Sequence, residues 1–409
     1  MLLSALIRRF VTTGTVTLVE ADGTAHIVRG AAPGPSVTLR LHDRALPWQL
    51  LVNPKLRFGE AYMDGRLTIE EGTLHDVMDI FCRGMAALED APHHARRLRM
   101  VRWARHLLSY NPVAQARRNV AHHYDLSGTL YDLFLDRDRQ YSCAYFTSDN
   151  QDLEVAQENK KLHLASKLLL APGQKVLDIG SGWGGLALYL SELSGADVTG
   201  ITLSTEQHKV SQERARRAGL SDRVRFHLRD YRDETGTYDR IVSVGMFEHV
   251  GAPHYRAFFA KAKELLAEDG VMVLHSIGRM EPPSVTGPWI RKYIFPGGYV
   301  PALSEVLKAV EEVGLWVTDI EILRLHYAKT LREWHRRFTV NRDRIRQIYD
   351  ERFCRMWEFY LVGAEMGFRH LKQMVFQMQI ARRNDVVPLT RDYMVEFERT
   401  HRGREAVVA

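Results

Sequence analysis

The clearest chemical signal in the sequence is Val176-Leu177-Asp178-Ile179-Gly180-Ser181-Gly182-Trp183-Gly184-Gly185. An apolar stretch ends in an acid, a glycine-rich turn follows, and an apolar helix opens at Gly185. Glycines let the backbone turn sharply and let a ligand lie close against it. No Gly-Lys-Ser or Gly-Lys-Thr follows, which excludes the phosphate loop of a nucleotide triphosphatase. A dinucleotide site would place a carboxylate ~20 residues further on, at the end of the second strand. Here that strand ends Gly200-Ile201-Thr202-Leu203-Ser204, with none. The cysteines Cys82, Cys143 and Cys354 show no CxxC pairing and no ligand spacing with histidine, so neither a disulfide framework nor a metal site is expected. Taken singly, Cys143 reads as a small buried hydrophobe. His275 reads as a satisfied core histidine, Glu248-His249 as a helix-cap pair, and Tyr327 carries no information.

The elements around these residues alternate. Strands are predicted over Lys175–Ile179, Asp197–Ile201, Val224–Leu228, Arg240–Val244 and Val271–Ile277. Helices are predicted over Gly185–Ser194, over Thr205–Ala218 behind Ser204, and near His254–Leu266. This pattern predicts an α/β fold, a doubly wound, mostly parallel sheet with helices on both faces. A strand near Trp316–Leu323 precedes an aromatic-rich helical tail from Lys329 to about Ile380. Upstream, residues 11–45 alternate like strands, with Asp22-Gly23 as a hairpin turn, and a helix is expected around Leu74–Leu88. The chain is therefore read as a small N-terminal α+β domain (1–90), a helical connector (91–115) and a large catalytic domain (116–400).

The connector carries the charge. The 409-residue chain has a net charge of +6. Between Ala91 and Tyr124 there is no Asp or Glu, while Arg96, Arg97, Arg99, Arg102, Arg105, Arg117 and Arg118 all fall there. Such a run is either a solvated helix face or a patch for an anionic surface. Trp103, Leu107 and Leu108 lie among the arginines, a mixture that suits a lipid headgroup boundary better than nucleic acid. No run approaches the ~20 apolar residues of a membrane-spanning helix, and Met1–Phe10 is too short for a signal peptide. A peripheral protein of the reducing cytosol, at the inner face of the cell membrane, is expected.

Asp178 with Gly180-Ser181-Gly182 resembles motif I of the class I S-adenosylmethionine methyltransferases. Further stretches are similar to one branch of that superfamily, the cyclopropane fatty acid and mycolic acid synthases. They include Asn119–Leu126, Tyr141-Ser142-Cys143-Ala144-Tyr145-Phe146, Gly245–Gly251, His275-Ser276-Ile277-Gly278, Lys292–Gly298 and Tyr327-Ala328-Lys329-Thr330-Leu331. The resemblance spans about residues 115 to 380. The chain's length and its extra N-terminal domain look like the phospholipid-acting members, the mycolic acid enzymes being shorter.

The resemblance implies a Rossmann-like methyltransferase domain behind a lipid-binding domain. It implies transfer of a methylene from S-adenosylmethionine to the cis double bond of an unsaturated phospholipid acyl chain. The carbocation formed on the chain would lose a proton to a bound bicarbonate. By the same resemblance, Cys143, Glu248, His275, Ile277 and Tyr327 would cage that anion. Tyr124, Tyr141, Ser142, Asp178, Gly180, Ser181, Gly182, Trp183, Gly184, Thr202, Ser204, Gln207, Asp230 and Tyr231 would hold the cofactor. A homodimer paired through the N-terminal domain is also implied. Ala364 stands where some phospholipid-acting members carry a cysteine, so no thiol role is assigned there. Three alternatives stay open: a methyl-branching enzyme, which would need a reductant, a lipid-transfer protein with a vestigial methyltransferase fold, and a small-molecule methyltransferase.

Overall fold

The computed structural model describes residues 2–89 and 128–402. The first stretch forms α1 (Leu2–Ile7), β1 (Thr13–Val19), β2 (Ala25–Arg29), β3 (Ala32–Leu41), α2 (Leu46–Val52), α3 (Pro54–Met63), β4 (Leu67–Glu71) and α4 (Leu74–Glu89). The second begins with α5 (Gly128–Asp132), α6 (Leu153–Leu168), β5 (Lys175–Ile179), α7 (Gly185–Ser194), β6 (Asp197–Thr202), α8 (Thr205–Arg217), β7 (Val224–Leu228) and β8 (Tyr238–Val244). It continues with α9 (Tyr255–Leu265), β9 (Leu266–Arg279), α10 (Pro288–Tyr293), α11 (Leu303–Glu312), β10 (Trp316–Ile322) and α12 (His326–Val340). Last come α13 (Arg342–Ile348), α14 (Glu351–His370), β11 (Gln373–Ala381) and α15 (Asp392–His401). The basic connector, Tyr124 and Asn119–Leu126 lie outside the described residues.

The chain forms two compact units. The first joins the N-terminal residues to Ser284–Pro296 and Ala328–Gln373. Its sheet runs β2-β1-β3-β4, with Asp22-Gly23 in the β1–β2 turn as the dipeptide predicts. The inward residues of the strands, Val16, Leu18, Val37, Leu39 and Leu41, close over Leu46, Leu50, Val77 and Ile80. α14 packs on α3 and α4. This partition differs from the boundary drawn at residue 116. The reason is visible in the ion pairs: Glu365 of α14, fully buried, takes His75, Arg332 and Arg369, and Glu60 of α3 takes Lys292 and Tyr293.

The second unit is the α/β domain. Its seven-stranded sheet runs β10-β11-β9-β8-β5-β6-β7. β9, β8, β5, β6 and β7 are parallel, and β10 pairs antiparallel with β11. Successive residues feed opposite faces, as strand geometry requires. Leu177, Ile241 and Met272 join the core under α9 and α11, while Val176, Val242 and Val273 join the one under α6 and α7. The expectation of helix through Ile380 is corrected here: residues 373–381 are a central strand. The helix stops at His370, and Lys372 takes a positive φ of 55°. Met374, Phe376, Met378 and Ile380 then alternate with Gln377 and Gln379, a two-residue period hidden behind a long helical one.

Candidate active site

The glycine turn joins β5 to α7 at the carboxyl end of the parallel strands, where such sheets hold ligands. Gly180, Gly182 and Gly184 all have positive φ (85°, 54° and 84°). The turn is pinned to β6, because Gly180 and Ser181 donate N–H groups to the Ile201 carbonyl at 2.9 and 3.0 Å. A cavity opens over it. Asp178, Gly180, Ser181, Gly182 and Trp183 form one wall; Thr202, Gln207, Asp230 and Tyr231 form the far side; Tyr141 and Ser142 complete it. Two residues expected at the cofactor lie behind this lining. Ser204 caps α8 by accepting the Gln207 N–H, and Gly184 caps α7. Tyr124 is outside the described residues.

Asp178 is 1 % exposed, its Oδ2 has no hydrogen-bond partner, and burial pushes its carboxyl up to about 7, against the pull of Lys160. A buried acid with a bare oxygen on a cavity wall suits a cationic group such as an amino acid ammonium. Gln207 is oriented by the Thr202 hydroxyl, which donates to its Oε1 at 3.0 Å. Asp230 is already held, because Arg232 grips its carboxylate through Nε and a terminal nitrogen at 2.8 and 2.7 Å. Arg232, Arg229, Met246 and His249 also line the cavity; Met246 and His249 lie in the Gly245–Gly251 stretch, which was not assigned to the cofactor, and no sequence signal marked the two arginines. Burial lowers His249 to about 4, so its ring is neutral.

The loop over the cavity is fixed from α6. Gln157 Nε2 donates to the carbonyls of Gln140 and Ser142 at 3.1 and 3.0 Å. Lys160 donates to Gln140 Oε1 and to Ser142 Oγ. With the Ser142 carbonyl turned toward α6, the N–H of Cys143 on the same peptide plane must point away from it. Asp138, earlier in the loop, pairs with Lys161 and Arg214. It also sits so close to the start of α7 that a Cβ at Gly185 would come within 2.3 Å of its carboxylate. That contact explains the second glycine of the closing Gly-Gly. Lys160→Met should release the loop and leave Asp178 without its nearest cation. Cofactor affinity is expected to fall about tenfold, by titration calorimetry, since a charged hydrogen bond is worth roughly 1.5–3 kcal/mol.

A second cluster forms where β8 and β9 end. Their parallel register sets Val244 opposite His275, so the turn carrying Glu248 lies beside Ile277. Glu248 is 9 % exposed; its Oε1 accepts the Ile277 N–H at 2.6 Å, while Oε2 is buried without a partner. Burial raises its carboxyl to about 7, opposed by that N–H, its own backbone and Ser276. His275 is 2 % exposed, and burial holds it well below its ordinary value. The Cys143 loop reaches this end through Ser142, whose Cβ would lie 4.0 Å from a Cβ on Gly245. Tyr327 is buried and follows His326, whose Nδ1 accepts the Phe146 N–H at 3.0 Å and whose ring stacks on Tyr145. The structure thus joins Glu248 to Ile277 directly and sets His275 two residues before Ile277 on β9; Cys143 follows Ser142, which stands by Gly245, and Tyr327 follows His326, which holds the same loop at Phe146. Ile277's amide is not idle, as expected for an anion donor, but engaged by Glu248.

Residues 112–378 match the model of the mycolic acid cyclopropane synthetase family. The cyclopropane-fatty-acyl-phospholipid synthase of Escherichia coli is 37% identical over 358 residues, 87% of this chain and 90% of that one. The tuberculostearic acid methyltransferase of Mycobacterium tuberculosis is 36% identical over 397 residues, 92% of this chain and 90% of that one. Among solved structures, a mycolic acid cyclopropane synthase complexed with SAH and CTAB aligns with a TM-score of 0.61 and 35% identity, covering 66% of this chain and 99% of that one. The cyclopropane synthase MmaA2 of M. tuberculosis aligns with a TM-score of 0.62 and 33% identity, again over 66% of this chain and 99% of that one.

Proposed function

The chain belongs to the mycolic acid cyclopropane synthetase family, and from that premise we propose that it closes cyclopropane rings on the unsaturated acyl chains of membrane phospholipids. It is an S-adenosylmethionine-dependent enzyme acting on unsaturated lipid. The observation that carries the finer reading is the Glu248–Ile277 hydrogen bond, which leaves one buried carboxylate oxygen bare on the turn beside the strand that carries His275. A phospholipid substrate is supported by similarity extending over 87% of the chain to the E. coli enzyme, against 61% for cyclopropane mycolic acid synthase 1 of M. tuberculosis.

The cofactor cavity fits its ligand: Asp178 offers an unpartnered buried oxygen, and Gly182 leaves open space where a side chain would stand. Asp178, Thr202, Gln207 and the Tyr141-Ser142 loop would hold S-adenosylmethionine. When bound, it supplies an electrophilic methyl to the alkene, leaving a carbocation on the acyl chain. The protein must then remove a proton from the new methyl, so that the C–H electrons close the ring, and keep water from the cation. A bicarbonate ion would supply the base. The side chains of Glu248, His275 and Tyr327 and the backbone of Cys143 and Ile277 would hold it; the Ile277 N–H already goes to Glu248. Oriented donors around a developing charge in a dry site are worth more than in water.

The test is purified protein with vesicles of unsaturated phospholipid and S-adenosylmethionine, followed by fatty acid analysis. Chains gaining one CH2 and resisting hydrogenation support ring closure. A methyl-branching reading is favoured by the 36% identity to the tuberculostearic acid methyltransferase; a product that hydrogenates to a branched chain would install it instead. Lipids left unmodified would end both readings.

We further propose that the enzyme works from the membrane surface, with residues 91–115 as its basic contact. No helix of the described residues is long and apolar enough to cross a membrane. Each basic residue at an anionic surface contributes about 1 kcal/mol. Arg96→Glu with Arg99→Glu changes the charge by four units and should therefore weaken binding to anionic vesicles by at least ~30-fold at low salt, and progressively less as salt is added. A salt profile identical to that of the unmodified protein would remove this role. Self-association through residues 1–90 completes the reading, and the concentration dependence of the full chain's sedimentation would test it, a monomer at all concentrations removing it.

A further inference from the structure

His275 sits on β9 on the face where its neighbours point toward α6, and strand β11 runs beside it. On that face Val176, Val198, Val224, Val242 and Val273 join the core. β11 instead carries Gln377 and Gln379, both fully buried. Gln377 Nε2 lies 3.2 Å from His275 Nδ1, and its Oε1 accepts from Lys167 Nζ at 2.8 Å. Lys167 is paired in turn with Glu321, which also takes His163.

This arrangement fixes a proton. A lysine ammonium has hydrogens to give and no lone pair to receive one. The amide oxygen of Gln377 must therefore face Lys167, which turns the NH2 toward His275. An amide NH2 only donates, so Nδ1 must be the bare, accepting nitrogen. Burial above all keeps the ring neutral, helped by the positive charges of Lys160, Lys167 and His163 and opposed by Glu321. A neutral imidazole with a bare Nδ1 carries its hydrogen on Nε2.

We propose that Gln377, held by Lys167, is a positioning residue that locks His275 in the Nε2–H tautomer, so that the ring presents a donor and not an acceptor to the reacting site. The orientation follows from the residues alone. Its consequence for turnover rests on the proposed function, in which His275 donates to an anion. Lys167 and Gln377 then act through His275 and touch no substrate themselves. A tautomer lock through a partner on the far nitrogen is the same device that orients imidazoles at metal and acid–base sites.

The experiment is the long-range 1H–15N spectrum of full-length protein labelled at histidine, with His275 assigned by its loss in His275→Gln. The unmodified protein should show a pyridine-type Nδ1 and a pyrrole-type Nε2 across the neutral range. Gln377→Glu keeps the partner of Lys167 but offers an acceptor to Nδ1. It should move the hydrogen to Nδ1 and lower kcat about 100-fold, the scale of losing one donor to a developing charge. The KM for S-adenosylmethionine should stay within about twofold, because the cofactor cavity is unaltered. A pyrrole-type Nδ1 in the unmodified protein would overturn the assignment even if the variant failed to fold. An unchanged kcat in a variant whose tautomer has switched would overturn the role. Absence of lipid activity in the unmodified protein would instead count against the proposed function and leave the spectrum as the test of the lock.

Discussion

Glu248→Gln should yield a protein that is more stable than the original above neutral pH and almost inactive. The carboxyl is fully buried and its pKa lies at about 7 instead of 4.5. The unfolded chain therefore releases this proton at lower pH than the folded one. Between those two values the folded state binds more protons, so stability falls as pH rises, and the deficit is complete above about pH 7. A shift of this size corresponds to roughly 3 kcal/mol, at about 1.4 kcal/mol per pKa unit. Glutamine keeps an oxygen for the Ile277 N–H and has no charge to bury. The variant should melt a few degrees higher at alkaline pH, and the difference should vanish on acidification below the ordinary glutamate range. Turnover should fall about 100- to 1000-fold, the usual scale for a positioned acid–base group, with cofactor affinity within about twofold. The unmodified enzyme should lose activity as pH drops through about 7, and the variant should lack that limb. Melting curves that show no pH-dependent gap would mean the carboxylate is not buried as described. Undiminished turnover would remove Glu248 from the chemistry.

The parts of this architecture that could be read from sequence are those where a local rule acts. Strands β5 to β9 declare themselves as short apolar runs, because a parallel sheet is buried on both faces. The glycines of the turn are legible because positive φ leaves few other choices. The polar interior is different. α6 buries Gln157, Lys160, Lys161, His163 and Lys167. Their partners, Gln140, Asp138, Glu398 and Glu321, come from a distant loop, strand or helix. Nothing local distinguishes such a lysine from a solvated one. Gln377 was hidden twice, on a strand that reads as the end of a helix and beside a histidine whose proton depends on it. The residues proposed to cage the anion are each unremarkable alone and are picked out only as a set, through resemblance. The division into units was lost for a related reason: the ion pairs that bind α14 to α4 span nearly three hundred positions, as from His75 to Glu365.

Gly182→Asp should abolish cofactor binding and leave the fold standing. At Gly182 a Cβ would meet nothing within 4 Å, because the space beyond belongs to the cavity that the residue lines. Its φ of 54° lies in the left-handed region, which Asp enters more readily than most residues, at a cost of about 1–2 kcal/mol. The added carboxylate would stand where the ligand must lie against the backbone, so affinity for S-adenosylmethionine should drop at least ~100-fold, on the scale of a buried charge left unpaired. Gly184 provides the contrast. A Cβ there would lie 2.7 Å from the ring of Phe226 and 2.8 Å from Ser211 Cβ, so Gly184→Ala should lower the melting temperature and the affinity together. The two glycines sit two residues apart in one turn, yet one serves the ligand and the other the packing of α7 against the sheet. Calorimetric titration and thermal melts on both variants separate those roles. If Gly182→Asp binds the cofactor normally, the turn is not its cradle, and the cluster at Glu248 and His275 loses the neighbour its chemistry requires.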